Sequence, residues 1–180
     1  EAQSAETDES YEDMIQKALK DLEDRKAEFL IPSALQVFSP KFLAILEKVS
    51  NPALQGIHLI YSQFRTLEGV GILRLVFLAN GYAEFKVSRS AKGWRLAVPA
   101  ADRKKPMFAL YTGTESPEER EIIRNVLSST WKFVPTSLAD DLKKIAPNNK
   151  LGEIIKMLMI TASGAEGISL RNVRYVHITE

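Results

Sequence analysis

The sequence predicts a single α/β domain built on a mostly parallel sheet flanked by helices in three layers. Three observations predict it. Short apolar runs suited to strands (57–64, 82–87, 107–113, 153–160 and 173–179) alternate with segments of helical periodicity. Helix start signals stand between them, the clearest being Ser116–Pro117 with Glu119 as the capping-box partner. Loops rich in glycine and hydroxyl side chains follow the strands. At 180 residues the chain is long enough for one core of ordinary size.

Composition narrows the class. The chain is 45% hydrophobic and 26% charged, with a net charge of +1, so no strong overall field is expected and any anion binding must be local. Without cysteine there is no disulfide framework, thiolate nucleophile or thiolate metal site. His58 and His177 stand far apart in sequence, which argues against zinc. No apolar run approaches the roughly 18 residues of a membrane span, and the acidic start is not a signal peptide. The expectation is an intracellular protein, cytoplasmic or nuclear, with no membrane partner.

The elements follow in order. Residues 1–9 read as a disordered acidic lead, and 10–37 as an N-terminal helical extension. In that extension Ser10 caps a helix with Met14, Ile15, Ala18, Leu19, Leu22 and Phe29 on one face, ended near Phe29 or Leu30 by Pro32. Ser39 and Pro40 open a helix with Phe42, Leu43, Leu46 and Val49 inward. After a turn at 51–56 comes the first strand, then a helix over 66–80 with Val70, Leu73, Val76 and Phe77 buried and Gly81 as its stop. Strands at 82–87 and 107–113 follow. Next come a helix from Pro117 to about Ser128, a shorter one at 137–146 begun by Ser137, and the last two strands.

In parallel sheets the chemistry gathers beyond the carboxyl ends of the strands. Three loops qualify: 61–69 (YSQFRTLEG), 111–116 (YTGTES) and 161–170 (TASGAEGISL). Short hydroxyls, exposed backbone N–H groups and a helix N-terminus can all approach phosphate closely. The residues therefore point to a surface for phosphates, of a nucleotide, of a nucleic-acid backbone, or both. Taken alone, Gly164 and Gly167 also suit a tight turn, and Glu166 suits solvent or a basic partner better than general base catalysis. Tyr61 and Phe64 read as core. Arg120 and Arg124 read as helix surface, with Glu121 placed to pair with Arg124.

A separate stretch, 86–105, holds seven basic residues (Lys86, Arg89, Lys92, Arg95, Arg103, Lys104 and Lys105) against Asp102, with Trp94 among them. It reads either as a nucleic-acid contact, for which Arg103, Lys104 and Lys105 are the candidates, or as a solvated hairpin joining two strands.

In their order, these stretches resemble the second RecA-like motor domain of superfamily 2 helicases and Swi/Snf-like ATPases, with the flavour of those of large DNA viruses. HLIYSQF resembles the motif IV strand. ALYTGTESPEEREIIRNVL resembles the strand, loop and Arg-bearing helix after it. MITASGAEGISLRNVRYVHITE resembles motif V and its following strand. The resemblance covers residues 38–180 and is weaker in 88–105 and 129–150. It implies a nucleic-acid-dependent ATPase, with packaging in a virion as one location open to it. Thr161 and Ser163 would contact the bound strand, as would Ser62 and Gln63 from the first loop and Thr112 and Gly113 from the second. Gly167 and Ser169, with neighbouring Glu166, fall on the nucleotide side, although relatives more often carry Asp or Asn where Ser169 stands.

The chain holds no G-x-x-x-x-G-K-[ST] loop and no acidic box after an apolar strand, and the family's Arg-bearing motif VI follows the strand that ends here at Glu180. The expectation is therefore a piece of a longer protein, cut before motif VI. Its partners would be DNA or RNA, a first motor lobe, and transcription or replication proteins. ATP with magnesium would serve the full-length protein, none being bound by this piece, and no residue here is assigned a catalytic role. Two rival readings are a non-catalytic module that docks a transcription or replication partner through the helix at 10–30, and a flavodoxin-like nucleotide-binding domain.

Overall fold

The computed structural model describes residues 2–67, 69–165 and 168–179. Five parallel strands form one sheet: β1 (Ile57–Ser62), β2 (Ala83–Glu84), β5 (Met107–Tyr111), β6 (Ile155–Thr161) and β7 (Val173–Ile178), in the order β2-β5-β6-β1-β7. β3 (Val87–Ser90) and β4 (Gly93–Leu96) make a separate antiparallel hairpin. The helices are α1 (Ala2–Asp24), α2 (Lys26–Phe29), α3 (Pro32–Phe38), α4 (Pro40–Ser50), α5 (Val70–Ala79), α6 (Pro117–Leu127), α7 (Thr136–Lys143) and the single turn α8 (Ala162–Ala165).

Strand alternation divides the core in two. Ile60, Phe108, Met157 and Met159 point to one face, where α3, α4 and α5 cover them with Leu35, Phe42, Leu46, Val49, Leu73, Val76 and Phe77. Met107, Ala109, Ile155 and Leu158 point to the other, against Ile122, Val126, Leu138 and Leu142 of α6 and α7. This is the expected three-layer architecture. β5, β6 and β1, fully covered on both sides, read as nearly unbroken apolar runs for that reason.

Several elements differ from expectation. The first helix starts at Ala2 rather than Ser10 and breaks at Arg25, and Pro32 opens a further helix at its first position, where its missing N–H costs nothing. Met14 faces outward at 59% exposure while Ile15 is buried. In α4 the fourth core residue is Ile45, not Leu43. α5 starts at Val70 rather than at 66, because Val70 N–H is taken by the Phe64 carbonyl and Gly71 N–H by that of Arg65. The chain leaves the sheet after Glu84, so the run at 82–87 splits between β2 and the hairpin. Ser137 does not cap α7. Its hydroxyl donates to the Trp94 carbonyl (2.8 Å) and ties the helix to the hairpin.

Among the described residues no helix is long and apolar enough to cross a membrane.

Candidate nucleic-acid interface

Two connections leave the sheet in opposite directions. The one from β1 runs through α5 to the far edge strand β2, and the one from β6 crosses β1 to reach β7. The crevice between the carboxyl ends of β6 and β1 is thus the switch point where such sheets hold ligands. Ser62 and Thr161 are register partners across it, and Thr112 follows Tyr111, the partner of Ile160. All three of these polar residues are buried. The three loops converge on one rim.

Short side chains bind that rim together. Thr161 Oγ1 and Ser163 Oγ both donate to the Thr112 carbonyl, at 3.1 and 2.7 Å, and lie 3.1 Å from each other. α8 follows Thr161 directly where a loop was expected, and it brings Ser163 back over β5. Gly164 allows that approach, because a Cβ there would meet the Tyr111 carbonyl oxygen. Ser62 Oγ accepts Phe64 N–H (3.1 Å) and turns the chain so that Phe64 stands out beside Gln63. Phe64 is 46% exposed, correcting its reading as core, and offers an aromatic face at the rim.

Sequence reasoning missed Glu115. Its Oε2 accepts the Thr112 and Gly113 N–H groups at 2.9 and 3.0 Å, and its Oε1 accepts Thr112 Oγ1 at 3.0 Å. A carboxylate thus occupies the backbone donors assigned to phosphate. The signal was present: an acidic residue two places after a glycine at φ 93° can fold back onto the turn's own N–H groups. Ser116 and Glu119 form the predicted capping box at the start of α6, closing its first N–H groups. One turn in, Arg120 buries its Nε with no hydrogen-bond partner among the described residues, so it is not the simple surface residue expected. Arg124 does pair with Glu121, at 3.8 Å.

Of the residues carried to the nucleotide, Ser169 is exposed, and Glu166 and Gly167 lie outside the described residues. Among the described residues no three acidic or imidazole groups come together to hold a metal ion.

Arg103, Lys104 and Lys105 are placed elsewhere. They precede Met107, the first residue of β5, and so lie at the amino-terminal rim of the sheet, opposite Thr112. Trp94 packs half-buried against the core, apart from these three residues.

The two histidines, far apart in sequence, meet across β1 and β7. His58 Nδ1 lies 2.9 Å from His177 Nε2, and the rings stack with Tyr175 on the other side of His58. The Leu54 carbonyl, 3.4 Å from His58 Nε2, fixes the neutral tautomer, so His177 donates to His58. Burial pushes the His58 pKa down to about 4 and lowers that of His177.

The chain is similar to viral proteins over about four-fifths of its length. Two proteins of Acanthamoeba polyphaga mimivirus, both named by inference as ATP-dependent RNA helicases, are 26% identical over 142 residues and 23% over 153. A termination factor NPH-I homolog of African swine fever virus is 29% identical over 163 aligned positions. These cover 79%, 85% and 79% of this chain and 13%, 21% and 20% of theirs, so the chain spans at most about a fifth of these relatives. No family model and no solved structure matches. The similarity bears out the resemblance drawn from the motifs, to a helicase-like domain of large DNA viruses.

Proposed function

We propose that this chain is the second motor lobe of a nucleic-acid-dependent ATPase and that its carboxyl-terminal rim grips the backbone of a bound strand. The convergence of Ser62, Thr112, Thr161 and Ser163 at the sheet's switch point carries the reading. Thr112 and Gly113 N–H groups meet a phosphodiester once the Glu115 carboxylate swings away, since both anions suit the same donors. Phe64 then offers a stacking face for a base. Residues 38–180 form the lobe, preceded by the helical extension.

The residues here supply no phosphate loop and no acidic box, so ATP and magnesium belong to a composite cleft whose other half is a first lobe. Glu166, Gly167 and Ser169 would border that cleft, and no chemical step is assigned to them. Closure of the two lobes on ATP and their release after hydrolysis would step the protein along nucleic acid. The chain by itself should bind single-stranded oligonucleotide and show no ATP turnover above blank. Binding is read by fluorescence anisotropy and turnover by phosphate release. Absence of binding, or metal-dependent turnover by the isolated chain, contradicts the assignment.

A further inference from the structure

The opposite rim carries a second set of charges. Arg103, Lys104, Lys105 and Lys144 surround an open concavity of about 720 Å³ beneath the amino-terminal ends of β5 and β6, with Asp141 and Glu153 in its wall. We propose that this concavity binds the phosphodiester backbone of duplex nucleic acid, at a site distinct from the Ser62–Thr112–Ser163 rim. The strand length between the rims, with its flanking residues, sets them roughly 20 Å apart at about 3.3 Å per residue, too far to serve one phosphate.

The acidic groups in the wall are already engaged. Asp141 takes a bidentate bond from Arg95 (2.7 and 3.0 Å) and a third from Lys144 at 3.4 Å. Burial opposes its charge, but these bonds outweigh burial and hold its pKa below the usual range. Glu153 accepts Leu151 N–H, and Asp102 pairs with Lys105 at 2.7 Å. Two cations remain without a carboxylate. Arg103 is aimed by the Val98 carbonyl, to which its Nε donates at 3.0 Å. Lys104 is exposed and has no ion pair among the described residues.

The shape of the ligand follows from what is missing. Trp94 is half-buried against the core and does not line the concavity, whose walls hold no ring on which an unpaired base can stack. Cations without a stacking platform suit a ligand that presents phosphates outward and keeps its bases inside, which is a duplex. An acidic peptide would want large apolar anchors beside the charges, and the lining offers Ala100, Pro106 and Ile145.

The test compares two variants of the chain on a labelled duplex and a single strand of equal length, across a salt series. Arg103→Ala/Lys104→Ala should weaken duplex binding at least tenfold. It should also flatten its salt dependence by about two units of slope, at roughly 0.9 for each phosphate no longer neutralised. Single-strand binding should stay unchanged. Phe64→Ala/Ser163→Ala should do the reverse, so failure of this site is distinguishable from failure of the opposite rim. Lys104→Glu alone repeats the test if melting shows the double variant destabilised. Unchanged duplex affinity, equal weakening on both ligands, or displacement of the duplex by polyglutamate at matched charge would overturn the proposal, the last in favour of an acidic protein.

Discussion

Two seams of the same sheet are stitched by different chemistry. Between β5 and β6, hydroxyls of Thr161 and Ser163 close on the Thr112 carbonyl, with Glu115 clamped over the neighbouring N–H groups. Between β1 and β7, an imidazole pair does the stitching, helped by Thr179, whose N–H and hydroxyl both donate to the Tyr61 carbonyl at 3.1 and 3.2 Å. The first seam holds its geometry with hydroxyls and backbone groups, and with one carboxylate, Glu115, placed where an anionic ligand would sit. The second depends on imidazoles that must remain neutral. The seam that faces the proposed ligand is therefore built without imidazole, and the other depends on it.

That contrast can be broken most severely at Gly164. Replacing it with Ala drives a methyl group into the Tyr111 carbonyl, a main-chain atom that cannot move aside. A loss at the upper end of the roughly 1–3 kcal/mol typical of overpacking is expected, read as a lower denaturation midpoint with loss of oligonucleotide binding. Intact binding by Gly164→Ala would show that Ser163 need not sit over β5.

Acid should open the other seam. The His58 pKa is lowered to about 4 from 6.5, so the folded state binds fewer protons than the unfolded chain between those values. Stability from this pair is present above the unfolded value and is lost as pH falls towards the folded one. The loss is roughly 3 kcal/mol, from about 2.5 units at 1.36 kcal/mol per unit. Asp141 titrates in the same direction lower in the range, so the informative quantity is the difference between wild type and His58→Gln in melts across pH. Parallel curves for the two proteins would remove the imidazole pair as the cause.

Glu115 gives the next effect. Glu115→Ala leaves the Thr112 and Gly113 N–H groups open to phosphate, and single-strand affinity should rise three- to tenfold, up to about 1.4 kcal/mol. A fall in affinity would mean that the carboxylate shapes the loop rather than competing with the ligand. Thr161→Val should do least. The Thr112 carbonyl keeps its Ser163 donor, so about 1 kcal/mol of stability is expected to go, measured by chemical denaturation.

Much of the fold was legible because its signals are local. The Ser116–Glu119 box, Pro40 at a helix start and the apolar stripe of α5 each state their structure within a few residues. The loops were legible as a set, since parallel strands bring their carboxyl ends to one rim. What escaped was decided by distant partners. Ser137 carries the signature of a cap, but the Trp94 carbonyl, remote in sequence, claims its hydroxyl. The histidines look unrelated until β7 is laid beside β1. The basic stretch looked like one motif, yet the hairpin turns Trp94 inward and leaves Arg103, Lys104 and Lys105 at the far rim. Glu115 was overlooked because a carboxylate beside the Ser116 cap reads as ordinary helix-start charge.

The most direct test of the central claim is an amide chemical-shift titration of the chain with a short single-stranded oligonucleotide. Shifts concentrated at residues 62–64, 112–115 and 161–163, with the Thr112 and Gly113 amides moving most, are the predicted result. Shifts that spare those residues and gather elsewhere would contradict the assignment of the carboxyl-terminal rim as the strand-binding surface.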